Sequence, residues 1–299
     1  MSFSGTLKTE LCDIRMSECC KNAVCCGFLL FGHCFSHSKI SMLTDEAAVS
    51  HHYANMLRHC FKIKPLLTVS GSKKTMYKVS IENGQERNNI INSYIDTKDG
   101  KIRDDIIRKD CCKDAFLRGV FLACGQASDP QKAYRIDLRI KNSDLTDFLY
   151  DLMLNRGLYP KHTKRNGTDV LYFKKSSSVE DFLTVIGAAP TTLEVIDTKI
   201  LKEVRADINR RNNADDANIS KVINASINQR TAINNLIEKG KFDILSPELQ
   251  EVAMLRMANP EASLSELCRL YSMSITRSGM NHRMSKIMEI AKKYSDKGD

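Results

Sequence analysis

The chain has 299 residues, of which 42% are hydrophobic and 27% charged, and it carries a net charge of +9. This is the composition of an ordinary soluble protein with room for two domains and a connector. No apolar run reaches the roughly 20 residues that a bilayer-spanning helix needs, and no basic segment with a cleavage site opens the chain. Neither a membrane partner nor secretion is expected, and the cytoplasm is the expected location.

Residues 1–17 place Leu7, Leu11 and Ile14 at helical spacing, which predicts a first helix. Residues 19–30 then read CCKNAVCCGFLL, and 92 residues later residues 111–122 read CCKDAFLRGVFL. Six paired positions are identical: Cys19/Cys111, Cys20/Cys112, Lys21/Lys113, Ala23/Ala115, Gly27/Gly119 and Leu30/Leu122. A repeat this long does not suit a solenoid, whose units span about 20 to 50 residues. It suits an internally duplicated domain in which each half opens with the same helix. A helix apolar nearly all round is a buried helix. Gly in its middle costs about 1 kcal/mol relative to Ala, a cost that makes sense where two backbones approach closely. The two copies are expected to cross at a pseudo-twofold axis through Gly27 and Gly119.

Between the copies, residues 39–43 suit a short strand. Thr44 and Asp45 suit the N-terminus of a helix running to about residue 61. Residues 66–70 and 75–81 form a predicted hairpin around Gly71-Ser72-Lys73, with Tyr77, Val79 and Ile81 on one face and Lys78 and Ser80 on the other. A helix over about 82–95 closes the first half. The second half repeats the plan: a break at Asp129-Pro130, an alternating strand over 134–140, and a helix from Asn142 or Ser143 to Arg156, ended by Gly157. A hairpin with Asn166-Gly167 as a type I′ turn follows, then a helix over 179–186. Tyr134, Ile136, Leu138 and Ile140 are expected on the buried face, with Arg135, Asp137 and Arg139 opposite. Two α-β-α-β-β-α halves sharing one antiparallel sheet are expected over residues 1–190, with repeats at about 18–95 and 110–188.

Ten of the eleven cysteines precede residue 125. In a reducing compartment free Cys acts as a small buried hydrophobe. A metal set drawn from Cys19, Cys20, Cys25, Cys26, His33 and Cys34 has no C-x2-C spacing, and adjacent cysteines on one helix point in different directions. No metal and no cofactor is therefore expected.

Residues 191–242 suit a helical connector: helices over 193–209 and 217–237 joined by RRNNADD, rich in Asn and carrying Arg205, Arg210, Arg211, Lys221 and Arg230. From Ser246 the pattern becomes an all-α module over 243–299. Ser246 with Pro247 starts one helix, Ser263 with Glu266 forms a capping box for a second, and Thr276 caps a third. In the third, Met280, Met284, Ile287 and Ala291 make the core stripe, and the tight second turn makes the arrangement a helix-turn-helix. Its other face carries Arg277, Ser278, Asn281, His282, Arg283 and Lys286. Arg pairs with guanine and Asn with adenine in the major groove, read by the N-terminal residues of a recognition helix. Those six residues are the expected DNA-binding set, with Arg210 and Arg211 of the connector at the backbone.

Two resemblances extend this reading. The crossing helices resemble those of the LAGLIDADG homing endonucleases: Leu117, Gly119, Ala123 and Gly125 fall on the motif's L, first G, second A and last G. The position of its metal-binding acid falls on Gly32 in the first copy and Cys124 in the second, and neither side chain suits a hard divalent cation. In those nucleases the basic sheet surface lies on DNA. Lys73, Lys74, Lys78, Lys161, Lys164 and Arg165 could do so here, or could simply guard edge strands. The helix CCKDAFLRGVFLACG, the run LEVIDTKILKEVRADINRRNNADDANISKVINAS and the closing ASLSELCRLYSMSITRSGMNHRMSKIMEIA together resemble the WhiA family. That family comprises the sporulation and cell-division regulators of Gram-positive bacteria, and the likeness spans essentially the whole chain. It implies an α+β, duplicated LAGLIDADG-like domain without catalysis, tethered to a helix-turn-helix. The implied role is transcription control on double-stranded DNA at the nucleoid, tied to cell division and chromosome segregation or to sporulation. The alternatives are a metal-dependent DNA endonuclease, and an adaptor whose N-terminal domain docks another regulator or a cell-division protein.

Overall fold

The structure, a computed structural model, describes residues 2–71, 74–97 and 100–295. It divides into two compact units, Met1–Lys202 and Glu203–Asp299, each with its own hydrophobic core.

The first unit opens with α1 (Phe3–Cys12), capped by the Ser2 hydroxyl, which accepts from the Gly5 amide at 3.0 Å. The first repeat runs α2 (Glu18–Leu30), β1 (Cys34–Phe35), β2 (Ile40–Thr44), α3 (Ala47–Phe61), β3 (Leu66–Ser70), β4 (Met76–Ile81) and α4 (Gly84–Tyr94). The second runs α5 (Asp110–Cys124), β5 (Gly125–Ala127), β6 (Ile136–Ile140), α6 (Asp144–Asn155), β7 (Lys161–Arg165), β8 (Thr168–Phe173) and α7 (Ser176–Ile186). The duplication is thus complete at the level of elements. It departs from expectation in the sheet. Instead of one shared sheet, each repeat builds its own four-stranded antiparallel sheet, ordered β1-β2-β4-β3 and β5-β6-β8-β7. The extra strands come just after the buried helices, β1 after a three-residue gap from α2 and β5 directly on α5, and are two and three residues long, too short to register as strands by alternation.

The crossing of α2 and α5 organises this unit. A Cβ on Gly27 would stand 2.4 Å from the Phe116 carbonyl oxygen, and one on Gly119 would stand 2.2 Å from that of Val24. Each glycine therefore lies against the backbone of the other helix, as the repeat predicts. Residues Ala23 to Leu30 are all buried, as are Ala115 to Leu122, including the charged Arg118. Arg118 donates from Nε to the Ile186 carbonyl at 2.7 Å, which satisfies part of its charge, while burial holds its pKa below the usual guanidinium value.

Local signals hold where they rest on backbone geometry. Asn166 and Gly167 have φ of 48° and 75°, the left-handed pair that a type I′ hairpin turn needs. Gly157 ends α6 with φ of 72°, and the Leu158 amide reaches back to the Met153 carbonyl at 2.9 Å. Strand faces hold less well. Asp137, expected on the open face of β6, is buried in a fork with Arg135 (Nη2–Oδ1 2.7 Å), whose guanidinium lies over the Tyr172 ring. Ser80, expected outward on β4, is buried opposite Ser41 and bonds Glu82 at 2.7 Å.

The two predicted connector helices are one. The helix α8 (Ala189–Glu238) runs unbroken for 50 residues through RRNNADD. That stretch holds neither Gly nor Pro. The few tenths of a kcal/mol that each Asn or Asp costs fall short of the cost of breaking and renucleating a helix. Its first turns pack in the first unit, with Val195 buried. Its last turns pack in the second, with Ile233 and Leu236 buried.

The second unit adds α9 (Pro247–Ala258), α10 (Leu264–Leu270) and α11 (Arg277–Ser295). Pro247 takes the first helical position of α9. The capping box forms as read: the Ser263 hydroxyl accepts from the Glu266 amide at 3.3 Å, and the Glu266 carboxylate accepts from the Ser263 amide at 2.7 Å. The core includes Met280, Met284, Ile287 and Ala291 of α11 with Leu249 and Val252 of α9 and Leu267 of α10. Arg256 is buried too, and donates to the Asn259 and Ala262 carbonyls, pinning the α9–α10 corner.

Candidate nucleic-acid interface

The helix-turn-helix is α10, residues 271–276 and α11. The Thr276 hydroxyl accepts from the Gly279 amide at 3.1 Å and so caps α11, leaving the first turn with helical amides directed outward. With the methionine stripe buried, the opposite arc is open. Arg277, Ser278, Asn281, His282 and Lys286 are all exposed on it. They fall at i, i+1, i+4, i+5 and i+9, so they share one side of the helix over about two and a half turns. The acidic Glu289 lies one turn further on, where Lys293 pairs with it at 3.0 Å and holds its carboxyl below the usual range.

Arg283 does not join that arc. Its guanidinium is in a 3.0 Å ion pair with Glu248 of α9, donates to the Tyr271 hydroxyl at 2.5 Å and lies 5.0 Å from the Tyr271 ring centre. These contacts tie α11 to α9 and to the turn. Helical geometry alone carries the signal: with about 100° per residue, position 283 falls beside Ile287 on the flank of the core stripe, well round from Asn281.

Arg210 and Arg211 are exposed on α8, and Arg210 pairs with Asp207. In the first unit Lys161, Lys164 and Arg165 are exposed on β7, an edge strand. Lys74 is paired with Asp45, Lys78 is half-buried on the inner strand β4, and Lys73 lies outside the described residues. The basic residues of the sheets are therefore divided among different strands and partners, whereas those of α11 are gathered.

The two positions of the nuclease acid lie at the ends of the crossing helices. Gly32 follows α2 and has no side chain to offer. Cys124 ends α5, and burial pushes its thiol up to about 12, so it is neutral at physiological pH. A neutral thiol is no ligand for Mg²⁺ or Ca²⁺, which take oxygen.

One clustering was missed. Among the described residues, one group of three or more potential metal ligands comes together, and it is Cys19, Cys20, Cys111 and Cys112, their sulfurs all within 4.8 Å of one another. The set weighed from the sequence does not assemble: Cys25 and Cys26 are buried in the core. The expected divergence of adjacent cysteines does not hold here: the Cys111 and Cys112 sulfurs stand 4.0 Å apart, and the pseudo-twofold brings the second pair against the first.

With this geometry in hand, the comparisons with known proteins are decisive. A model of the WhiA LAGLIDADG-like domain matches residues 113–205, and one of the WhiA C-terminal HTH domain matches residues 208–291. Two curated relatives carry the name probable cell division protein WhiA. The one from Ruminiclostridium cellulolyticum is 33% identical over 98% of each chain. The one from Streptococcus suis is 34% identical over 99% of this chain and all of the relative. The chain belongs to the WhiA family. Its architecture agrees: the crystal structure of full-length DUF199/WhiA from Thermotoga maritima superposes with a TM-score of 0.61 at 20% identity, covering 98% of this chain and 99% of that one. The fold is therefore the α+β WhiA fold, a LAGLIDADG-like domain followed by a helical helix-turn-helix region. The LAGLIDADG-like model begins at Lys113, in the second repeat, the copy in which the motif is better kept. Among the described residues no helix of this WhiA-family chain is long and apolar enough to cross a membrane.

Proposed function

We propose that this WhiA-family protein is a sequence-specific, double-stranded-DNA-binding transcription regulator that acts in cell division, as the names of its relatives suggest, and that it is not a nuclease. The single observation carrying the reading is the exposed arc Arg277, Ser278, Asn281, His282 and Lys286 on a helix whose other side is fully committed to the core. In this reading Arg277 and Asn281 read base edges, Ser278 and His282 support them, and Lys286 meets phosphate. Arg283, tied to Glu248 and Tyr271, positions the helix. Arg210 and Arg211 add backbone attraction from α8. Residues 1–190, 191–242 and 243–299 serve as scaffold, connector and reader.

Gly32 and Cys124 support the absence of cleavage chemistry, because a two-metal hydrolysis needs carboxylates where they stand. The test selects duplexes from a random pool with the full chain and with the Arg277→Ala/Asn281→Ala double variant. Enrichment of one motif by the parent and none by a folded variant is expected. Equal enrichment by both would remove α11 from the reading role, and magnesium-dependent nicking of supercoiled DNA by the parent would overturn the non-enzymatic reading.

A further inference from the structure

The four clustered cysteines serve nothing in the DNA-binding reading, and the core explanation that covers Cys25 and Cys26 does not cover them. Cys19 and Cys111 are exposed and Cys20 is half-exposed; Cys112 alone is buried. Each pair occupies the second and third positions of its helix, after Glu18 in α2 and after Asp110 in α5. The pseudo-twofold lays one helix start on the other, so that the Cys20 thiol reaches the Cys111 carbonyl at 3.4 Å; within α5 the Cys111 and Cys112 sulfurs stand 4.0 Å apart.

The magnitudes choose between occupants. Four thiolates around one tetrahedral zinc, each about 2.3 Å from it, stand about 3.8 Å from one another. A set already within 4.8 Å closes to that by small side-chain rotations. An iron–sulfur cluster holds its four thiolates further apart, because the cluster itself fills the space between them. A disulfide would bond two sulfurs at about 2.05 Å, and all four of these cysteines are free thiols. Two helix N-termini converge here, and each supplies partial positive charge that stabilises thiolate. Lys21 and Lys113 occupy matching positions one residue further along, held by Glu18 (2.7 Å) and Asp110 (3.0 Å). Arg156 approaches Asp110 at 3.3 Å.

We propose that Cys19, Cys20, Cys111 and Cys112 form a four-thiolate site for a single zinc-class divalent ion that staples the two repeats at the start of their crossing helices. Four S–H bonds break and four metal–sulfur bonds form. The four protons go to solvent, and no electron moves. All four positions are protein sulfur, so no place remains for substrate or water, and the ion is structural. Its binding free energy adds to the stability of the α2–α5 crossing, because neither repeat alone holds more than one pair.

The test uses the full chain, purified reduced, without chelator and without a histidine tag. About one zinc per chain is expected by mass spectrometry of the metal. Cobalt(II) exchanged into the site should give the intense visible bands and thiolate-to-metal charge-transfer absorption of a tetrahedral sulfur site. The Cys19→Ser/Cys111→Ser variant should lose at least nine-tenths of the metal, whereas Cys268→Ser, in the other unit, should keep it. Should the double variant fail to fold, alkylation of the parent decides: bound zinc should protect four thiols, and peptide mapping should place them at 19, 20, 111 and 112. Reduced, folded parent with no tetrahedral cobalt spectrum would overturn the proposal. So would metal retained in the folded double variant, iron with acid-labile sulfide, or zinc-dependent protection mapped to other cysteines.

Discussion

The crossing helices α2 and α5 and the helix α11 use their apolar residues in opposite ways. From Ala115 to Leu122 every residue of α5 is buried, and its contact with α2 is so close that two glycines sit on the partner's backbone. Along that stretch the helix has no side left over for a ligand. In α11 the buried residues recur at every third or fourth position, and the rest of the circumference carries Arg, Asn, His and Lys into solvent. The first arrangement spends its surface on holding two repeats together; the second keeps a face free while remaining anchored. In the proposed reading this difference places recognition in the second unit, although the first holds the LAGLIDADG-like domain.

Changing a crossing glycine is the harshest way to break that contrast. Gly119→Ala should destabilise the first unit by about 3 kcal/mol, since the new methyl meets the Val24 carbonyl and neither backbone can retreat without unpacking the other. The sign is diagnostic. Helix propensity alone would make the same change stabilising by about 1 kcal/mol. Urea melts followed by circular dichroism measure it, with Gly84→Ala as a control within about 0.5 kcal/mol, because there the nearest atom is the end of the Arg87 side chain at 3.5 Å.

On the other side of the comparison, Asn281→Ala should leave the stability of the second unit unchanged and cost about 1 to 3 kcal/mol of discrimination at one base pair. Competition between the selected duplex and single-base variants reads this. A uniform loss across all duplexes would assign Asn281 to the backbone instead.

How far these contrasts were legible in the sequence depends on how local they are. The Asn166-Gly167 turn, the Ser263 box and the methionine stripe each follow from residues a few positions apart, the paired glycines follow from the internal repeat, and each is found in place. The separate sheets were not legible, because β1 and β5 are too short for alternation to show. The continuity of α8 was obscured by reading Asn density as a break, when only Gly or Pro would have forced one. The tethering of Arg283 was readable from its angle on the helix, but its partner Glu248 was not, being fixed by how α9 packs. The four-cysteine cluster lies furthest from local reading: residues 92 apart meet only because the halves cross at their helix starts.

The capping box offers a smaller perturbation of the anchor beneath the reader. Ser263→Ala should cost about 1 kcal/mol by removing one of the two reciprocal bonds that begin α10. The Glu266 carboxyl is held below its ordinary value, first by the Ser263 amide. A depressed folded value means that its contribution is complete above the unfolded pKa of about 4.3 and is lost as pH falls through the folded value. The difference in stability between parent and Glu266→Gln should therefore narrow below about pH 4, as thermal melts across the acid range would show.

Lys286→Ala should have the smallest effect at physiological salt and the most informative form. A lysine meeting one phosphate releases about 0.9 counterion, so its removal should lower the slope of log K against log salt by about that amount. At about 0.15 M salt this amounts to about fivefold in affinity, vanishing toward about 1 M, and it should be the same for the selected duplex and for random sequence. Arg277→Ala measured beside it should do the reverse in part, losing more on the selected duplex than on random DNA. If Lys286→Ala instead weakened only the selected duplex with no change of slope, Lys286 would be reading a base. The free arc of α11 would then extend one turn deeper into the groove than its first two turns alone would reach.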